Sequence, residues 1–215
     1  MSDRHVAFLD LDGTLIDSAG GILTGVRLAF ESVDAAVPDN ATMRSWIGPP
    51  VRETLVRELG ALGPEAVQHA NAVFRTYFDD VGMHESVVFP GIPSALDGIA
   101  ADGAMIVVVT HKPMALAEAA IRQHGLDVWV RGIYAPPSPS VAVPKADLFA
   151  AAIGDTHPSS AMAAGDRAGD IHAAAAHGVA SVGVAWGYGS TAELRAAGAR
   201  AIAQDAGDLP ALLRP

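Results

Sequence analysis

His5-Val6-Ala7-Phe8-Leu9-Asp10-Leu11-Asp12-Gly13-Thr14-Leu15-Ile16-Asp17-Ser18 is the stretch on which the fold turns. His5 to Leu9 is a short apolar run with the length of a buried strand, and it ends in two carboxylates one residue apart, followed by a glycine that permits a sharp turn. A strand of a parallel sheet delivers its last residues to the carboxyl edge, where open α/β sheets bind ligands, so Asp10 is expected in a crevice. The chain leaves the strand between Asp10 and Asp12, so both carboxylates can reach one site. Two acids this close repel unless a cation or a proton lies between them, which points to a divalent metal or one neutral acid. A calcium loop fits less well, because Gly13 falls two positions early and a strand precedes it.

Working outward, composition narrows the partners. A chain of 215 residues buries about 70% of its unfolded surface, enough for one large domain or one domain with an insertion. The absence of cysteine excludes disulfides, a thiol nucleophile and cysteine metal sites, leaving oxygen or histidine as metal donors, and carboxylates favour magnesium. A net charge of −10 without any basic run argues against nucleic acid as a partner. A small phosphorylated metabolite stays compatible, since a local cation outweighs a distant net charge. No apolar run approaches the ~20 residues that span a bilayer and no leader opens the chain, so a cytoplasmic protein without membrane association is expected.

From Ser18 to about Gly82 the pattern is helical with no convincing strand. Val26, Ala29, Phe30 and Val33 share a helix face, a second helix starts near Thr42, Val51 to Leu59 is amphipathic, and Pro64 opens a longer helix through Val67, Ala70, Val73, Phe74 and Tyr77. Beyond Phe89 strands and helices alternate: helix Ile92 to Ala100, strand Ala104 to Val109, helix Met114 to His124, strand near Ile133-Tyr134, helix Ala146 to Ile153, strand Ala161 to Ala164, helix Ile171 to His177, strand Val179 to Val184. That alternation predicts an α/β fold, a Rossmann-like doubly wound parallel sheet with helices on both faces.

Three further places carry chemistry. Thr110 ends an apolar strand and is followed by His111-Lys112-Pro113; its hydroxyl with the N–H groups of the next helix makes a cradle for phosphate oxygens. Lys145, one of only two lysines, opens a helix after a proline-rich loop. Gly165-Asp166-Arg167-Ala168-Gly169-Asp170 puts a second carboxylate at the end of an apolar strand, with Asp170 one helical turn on. Acids at the ends of two separate apolar strands are not everyday turn residues.

These four stretches resemble, in order, the four motifs of the haloacid-dehalogenase-like (HAD) phosphohydrolases: hhhhDxDGTLhDS, a strand-terminal Thr, a helix-opening lysine and GDxxxDh. His111 stands where the family commonly has Asn, and the loop 136–144 is unusually rich in proline. The resemblance implies that Asp10 is the nucleophile and Asp12 the general acid and base. It implies that Thr110, His111 and Lys145 bind phosphate, that Asp10, Asp12 through its carbonyl, and Asp166 hold Mg²⁺, and that Asp170 orients the site from behind. The helical insert resembles a cap, so the expected division is a discontinuous core of residues 1–15 and 85–215 with an all-α cap of residues 16–84. Ile47-Gly48-Pro49-Pro50-Val51-Arg52 and Val184-Ala185-Trp186-Gly187-Tyr188-Gly189 resemble the phosphoglycolate phosphatase and 5′-nucleotidase branch, which implies that Arg52 meets the substrate's far end. The implied activity is magnesium-dependent hydrolysis of a small phosphate monoester through an aspartyl phosphate, by a monomer or homodimer. A dehalogenase needs neither Asp12 nor Asp166, and a phosphonatase needs a cap lysine that is absent here. A phosphosugar mutase and a regulatory phosphoacceptor remain as alternatives.

Overall fold

The computed structural model describes residues 5–214. Its strands are β1 (His5–Leu9), β2 (Ile16–Asp17), β3 (Val87–Val88), β4 (Met105–Val109), β5 (Val130–Tyr134), β6 (Ser160–Gly165), β7 (Ala180–Val184) and β8 (Ala201–Ala203). Its helices are α1 (Ala19–Glu31), α2 (Asn40–Arg44), α3 (Val51–Leu59), α4 (Pro64–Asp80), α5 (Ile92–Ala101), α6 (Met114–Gln123), α7 (Lys145–Thr156), α8 (Ala168–Ala175), α9 (Thr191–Ala196) and α10 (Leu209–Leu212). The chain divides into two compact units, one of residues 1–16 and 88–215, the other of residues 17–87. Among the described residues no helix is long and apolar enough to cross a membrane.

The larger unit is built on a six-stranded sheet of order β5-β4-β1-β6-β7-β8 in which the neighbours pair in parallel. Alternate residues of β1 serve opposite faces, as the two-residue period of a strand requires. Ala7 and Leu9 join Ile106, Val108, Met162 and Ala164 under α5 and α6, whereas Val6 and Phe8 join Val107, Val109 and Ala163 under α7 and α8. Phe8 meets Phe149 edge to face at 5.5 Å. With both faces covered, the strands read as apolar runs rather than as alternating ones, and charge is tolerated only at their ends. The doubly wound α/β fold expected from the sequence is therefore present.

The smaller unit packs its helices through Val26, Phe30, Leu55, Leu59, Ala70, Phe74 and Phe78. Helix α1 starts at Ala19, seven residues before the Val26 with which the apolar face read from the sequence begins. Gly20 and Gly21 disfavour a helix by propensity, but Gly21 lies so close to the Gly82 carbonyl that any side chain there would collide with it.

The differences in the larger unit have local causes. β5 extends back to Val130, past the Arg131 and Gly132 that interrupt its apolar pattern. β8 was not legible: it is three residues long and two of them are alanine, a poor strand former. Helix α8 begins at Ala168 rather than Ile171, because the Asp170 carboxylate reaches back to accept the Arg167 N–H at 2.9 Å and closes the first turn. Trp129 and Trp186, both partly buried, pack against the apolar cluster on the α5/α6 face, and Trp46 stacks on Phe30 at 6.0 Å.

Candidate active site

Asp10, Thr110 and Asp166 each follow directly on or end a central strand, and Lys145 opens α7, so the sheet's carboxyl edge collects them. The Asp10 N–H donates to Ala164 O at 3.0 Å, which carries the β1–β6 ladder one residue further and fixes Asp10 beside β6. The chain then curls: the N–H groups of Thr14, Leu15 and Ile16 converge on the Leu11 carbonyl, and Gly13 donates to Ile16 O at 2.8 Å. Gly13 sits at φ +90, and a Cβ there would run into the Asp166 carboxylate. Glycine is needed both for the turn and for the close approach.

Lys145 is the hub. Its Nζ donates to Asp10 Oδ1 at 2.6 Å and also to Asp170 Oδ1, and all three side chains are buried. Asp170 Oδ2 is taken by the Arg167 N–H, so both oxygens of Asp170 are engaged. Asp166 is fully buried; its Oδ2 accepts the Tyr188 N–H at 2.8 Å, and its Oδ1 has no hydrogen-bond partner among the described residues. One oxygen from each of Asp10, Asp166 and Asp170 lies within 4.8 Å of the others.

Asp12 is placed differently. Its carboxylate pairs with Lys112, whose Nζ lies 2.9 and 3.2 Å from the two oxygens, and it is not part of that three-carboxylate cluster. Thr110 is buried, donates its N–H to Tyr134 O at 3.0 Å, and accepts the Lys112 N–H on Oγ1 at 3.2 Å. His111 is half-buried in the turn between them, and Arg52 is an exposed residue of α3 in the smaller unit.

The electrostatics follow from these contacts. Lys145 pairs with Asp10 and Asp170 and, among the described residues, no ion pair reaches Asp166, so with all three carboxylates ionised two negative charges are in excess. Burial pushes Asp10 up to about 7, with Lys145 pulling it down and Asp170 and Asp12 pushing it further up. Burial, followed by Asp170 and Asp10, raises Asp166 well above the carboxylate range. For Lys145 burial opposes the charge, but Asp10 and Asp170 outweigh it and hold the ammonium above the ordinary lysine range. A divalent cation fits this donor set: hard oxygen ligands, two uncompensated charges and one buried oxygen without a partner.

Residues 7–184 match the haloacid dehalogenase-like hydrolase family. The chain belongs to that family. This hydrolase is 34% identical over 193 residues to a 5′-nucleotidase of Pseudomonas aeruginosa, a match covering 87% of this chain and 85% of that protein. It is 33% identical over 187 residues to the tyrosine-protein kinase PtkA of Mycobacterium tuberculosis, covering 86% of this chain and 63% of that longer protein. A solved structure described as a predicted phosphatase from Clostridium acetobutylicum superposes with a TM-score of 0.87 at 29% identity over 98% of both chains. Among these haloacid dehalogenase-like hydrolases the chain is a phosphatase-type enzyme.

Two sets of contacts in the hydrolase leave little trace in its sequence. The Lys112–Asp12 pair had a signal in the scarcity of lysine, since the other lysine also sits on a motif-one aspartate. The contacts of Gly187, Tyr188 and Gly189 with Asp166 had only the Gly-Tyr-Gly spacing after an apolar strand to announce them.

Proposed function

We propose that the chain is a magnesium-dependent phosphatase that hydrolyses a small phosphate monoester through a phosphoryl group carried on Asp10. The observation that supports it most is the buried assembly of Asp10, Lys145, Asp166 and Asp170 at the sheet's carboxyl edge, with its excess negative charge and the unpartnered Asp166 oxygen. In this reading Asp10, the Asp12 carbonyl and Asp166 hold Mg²⁺, and Asp170, with both oxygens already engaged, orients Lys145 instead of binding metal. The cation, when bound, offsets charge on the phosphoryl oxygens.

Asp10 attacks phosphorus in line with the leaving oxygen, and Lys145, already on Asp10, faces the same developing charge. Asp12 gives its proton to the leaving alkoxide as the P–O bond breaks, then takes a proton from the water that displaces Asp10 from phosphorus. Ester and water become alcohol and phosphate, and both aspartates return to their starting states. Lys112, paired with Asp12, holds that carboxylate out of the Asp10 cluster between these transfers. The Thr110–His111 turn receives phosphate oxygens, and the unit of residues 17–87 acts as the cap, with Arg52 selecting among substrates. Nucleoside monophosphates and phosphoglycolate head the candidate substrates, the first by analogy with the 5′-nucleotidase relative, the second by the resemblance of the stretches 47–52 and 184–189 to the phosphoglycolate phosphatase branch.

The test is phosphate release from a panel of phosphate monoesters and pyrophosphate, with and without Mg²⁺, beside the Asp10→Asn protein. Magnesium-dependent release that vanishes in the variant is expected. Release that survives in Asp10→Asn would overturn the reading. A phosphorylated Asp10 that never turns over would move the assignment to a phosphoacceptor, and transfer between two sugar hydroxyls to a mutase.

A further inference from the structure

The segment Trp186–Gly189, which follows β7, touches motif one and Asp166 at successive residues. Trp186 Nε1 donates to Thr14 O at 3.0 Å. A Cβ on Gly187 would meet the Asp166 side chain and lie 2.6 Å from Gly13 O. The Tyr188 N–H holds Asp166 Oδ2 at 2.8 Å. A Cβ on Gly189 would strike the Asp166 carbonyl oxygen. Asp166 is thereby gripped from its carbonyl to one of its carboxylate oxygens, and only Oδ1 is left without a partner among the described residues.

We propose that this strap sets the cation preference of the site by confining Asp166 to ligation through Oδ1 alone. The proposal rests on the reading of the site as a magnesium centre. Its physical basis is a difference between the two common hard cations. Magnesium takes six ligands in a small octahedron, one oxygen per carboxylate, whereas calcium gains from six to eight ligands and readily takes both oxygens of a carboxylate. A carboxylate whose second oxygen is already committed to a backbone N–H serves the first ion fully and the second poorly. The N–H belongs to a segment whose glycines leave no room for Asp166 to rotate about it, and whose tryptophan anchors it to the Gly13–Thr14 turn. Trp186, Gly187 and Gly189 are positioning residues that act on the cation through Asp166.

The experiment is calorimetric titration of the full chain with Mg²⁺ and with Ca²⁺, for the unaltered protein, Gly187→Ala and Trp186→Phe. The added Cβ meets a backbone carbonyl that cannot swing away, so Gly187→Ala displaces Asp166 from the Tyr188 N–H. The expected result is an Mg²⁺ affinity lowered about 10- to 100-fold, with a smaller loss for Ca²⁺, so that the ratio of the two affinities falls. Trp186→Phe keeps an aromatic ring against the core and removes the Nε1 anchor; it shifts the ratio in the same direction by a smaller factor and carries the test should Gly187→Ala fail to fold by circular dichroism. Equal losses for both ions, or no loss in either variant, would overturn the proposal. Phosphate release by the unaltered chain, measured alongside, tests the underlying phosphatase reading separately, and an unaltered chain that binds neither ion would overturn both.

Discussion

The carboxyl edge of the sheet and the helical unit of residues 17–87 handle charge in opposite ways. The edge buries five charged side chains, Asp10, Lys112, Lys145, Asp166 and Asp170, whereas the buried polar groups of the helical unit are the neutral Ser18, Thr54 and Ser86. Buried charge is costly and survives only when partnered, so the edge trades stability for chemistry while the helical unit is held by apolar packing. A substitution at the edge should change ion binding and turnover together with stability; one in the helical core should change stability alone.

The largest effect is expected for Asp10→Asn. Removing the proposed nucleophile should lower turnover by at least about 10³-fold, while circular dichroism reads an intact fold, since one of three crowded carboxylates is neutralised. Lys145→Met attacks both properties. It leaves Asp10 and Asp170 buried without their shared ammonium, and should cost about 3–5 kcal/mol in urea unfolding as well as activity.

Phe74→Ala sharpens the contrast from the other side. Phe74 is buried and stacks on Phe78 at 5.4 Å, so about 3 kcal/mol of stability should be lost with Mg²⁺ affinity unchanged by calorimetry; a parallel loss of ion binding would break the division. Stripping the cation with a chelator should lower Tm reversibly, by the equivalent of about 2.7 kcal/mol when the reference buffer holds a hundredfold excess over Kd. Arg52→Ala, at an exposed helix position, should leave stability within about 0.5 kcal/mol and alter KM for some esters of the panel more than for others.

How far the sequence could be read follows the same line. β1 and the acids after it were legible because five residues of strand and a glycine turn are local features, and the motif spacing named the strand-end positions of Thr110 and Asp166. What escaped depends on partners distant in the chain. Lys112 meets Asp12 from 100 residues away, and Tyr188 meets Asp166 from 22. β8 escaped because pairing beside β7, not the propensity of Ala-Ile-Ala, makes it a strand. Gly21 at the start of α1 escaped because its advantage is a close approach to Gly82, which propensity cannot register.

The two lysines bear on how the protein meets amine chemistry. Both side chains are buried, at 8% exposure each, and every other fixed cation in the sequence is an arginine. The folded surface therefore offers acylating reagents and amine-directed crosslinkers no lysine among the described residues to attack. Acetylation of either one would remove an ammonium from beside a motif-one aspartate. Labelling this protein through lysine and silencing it would be the same event.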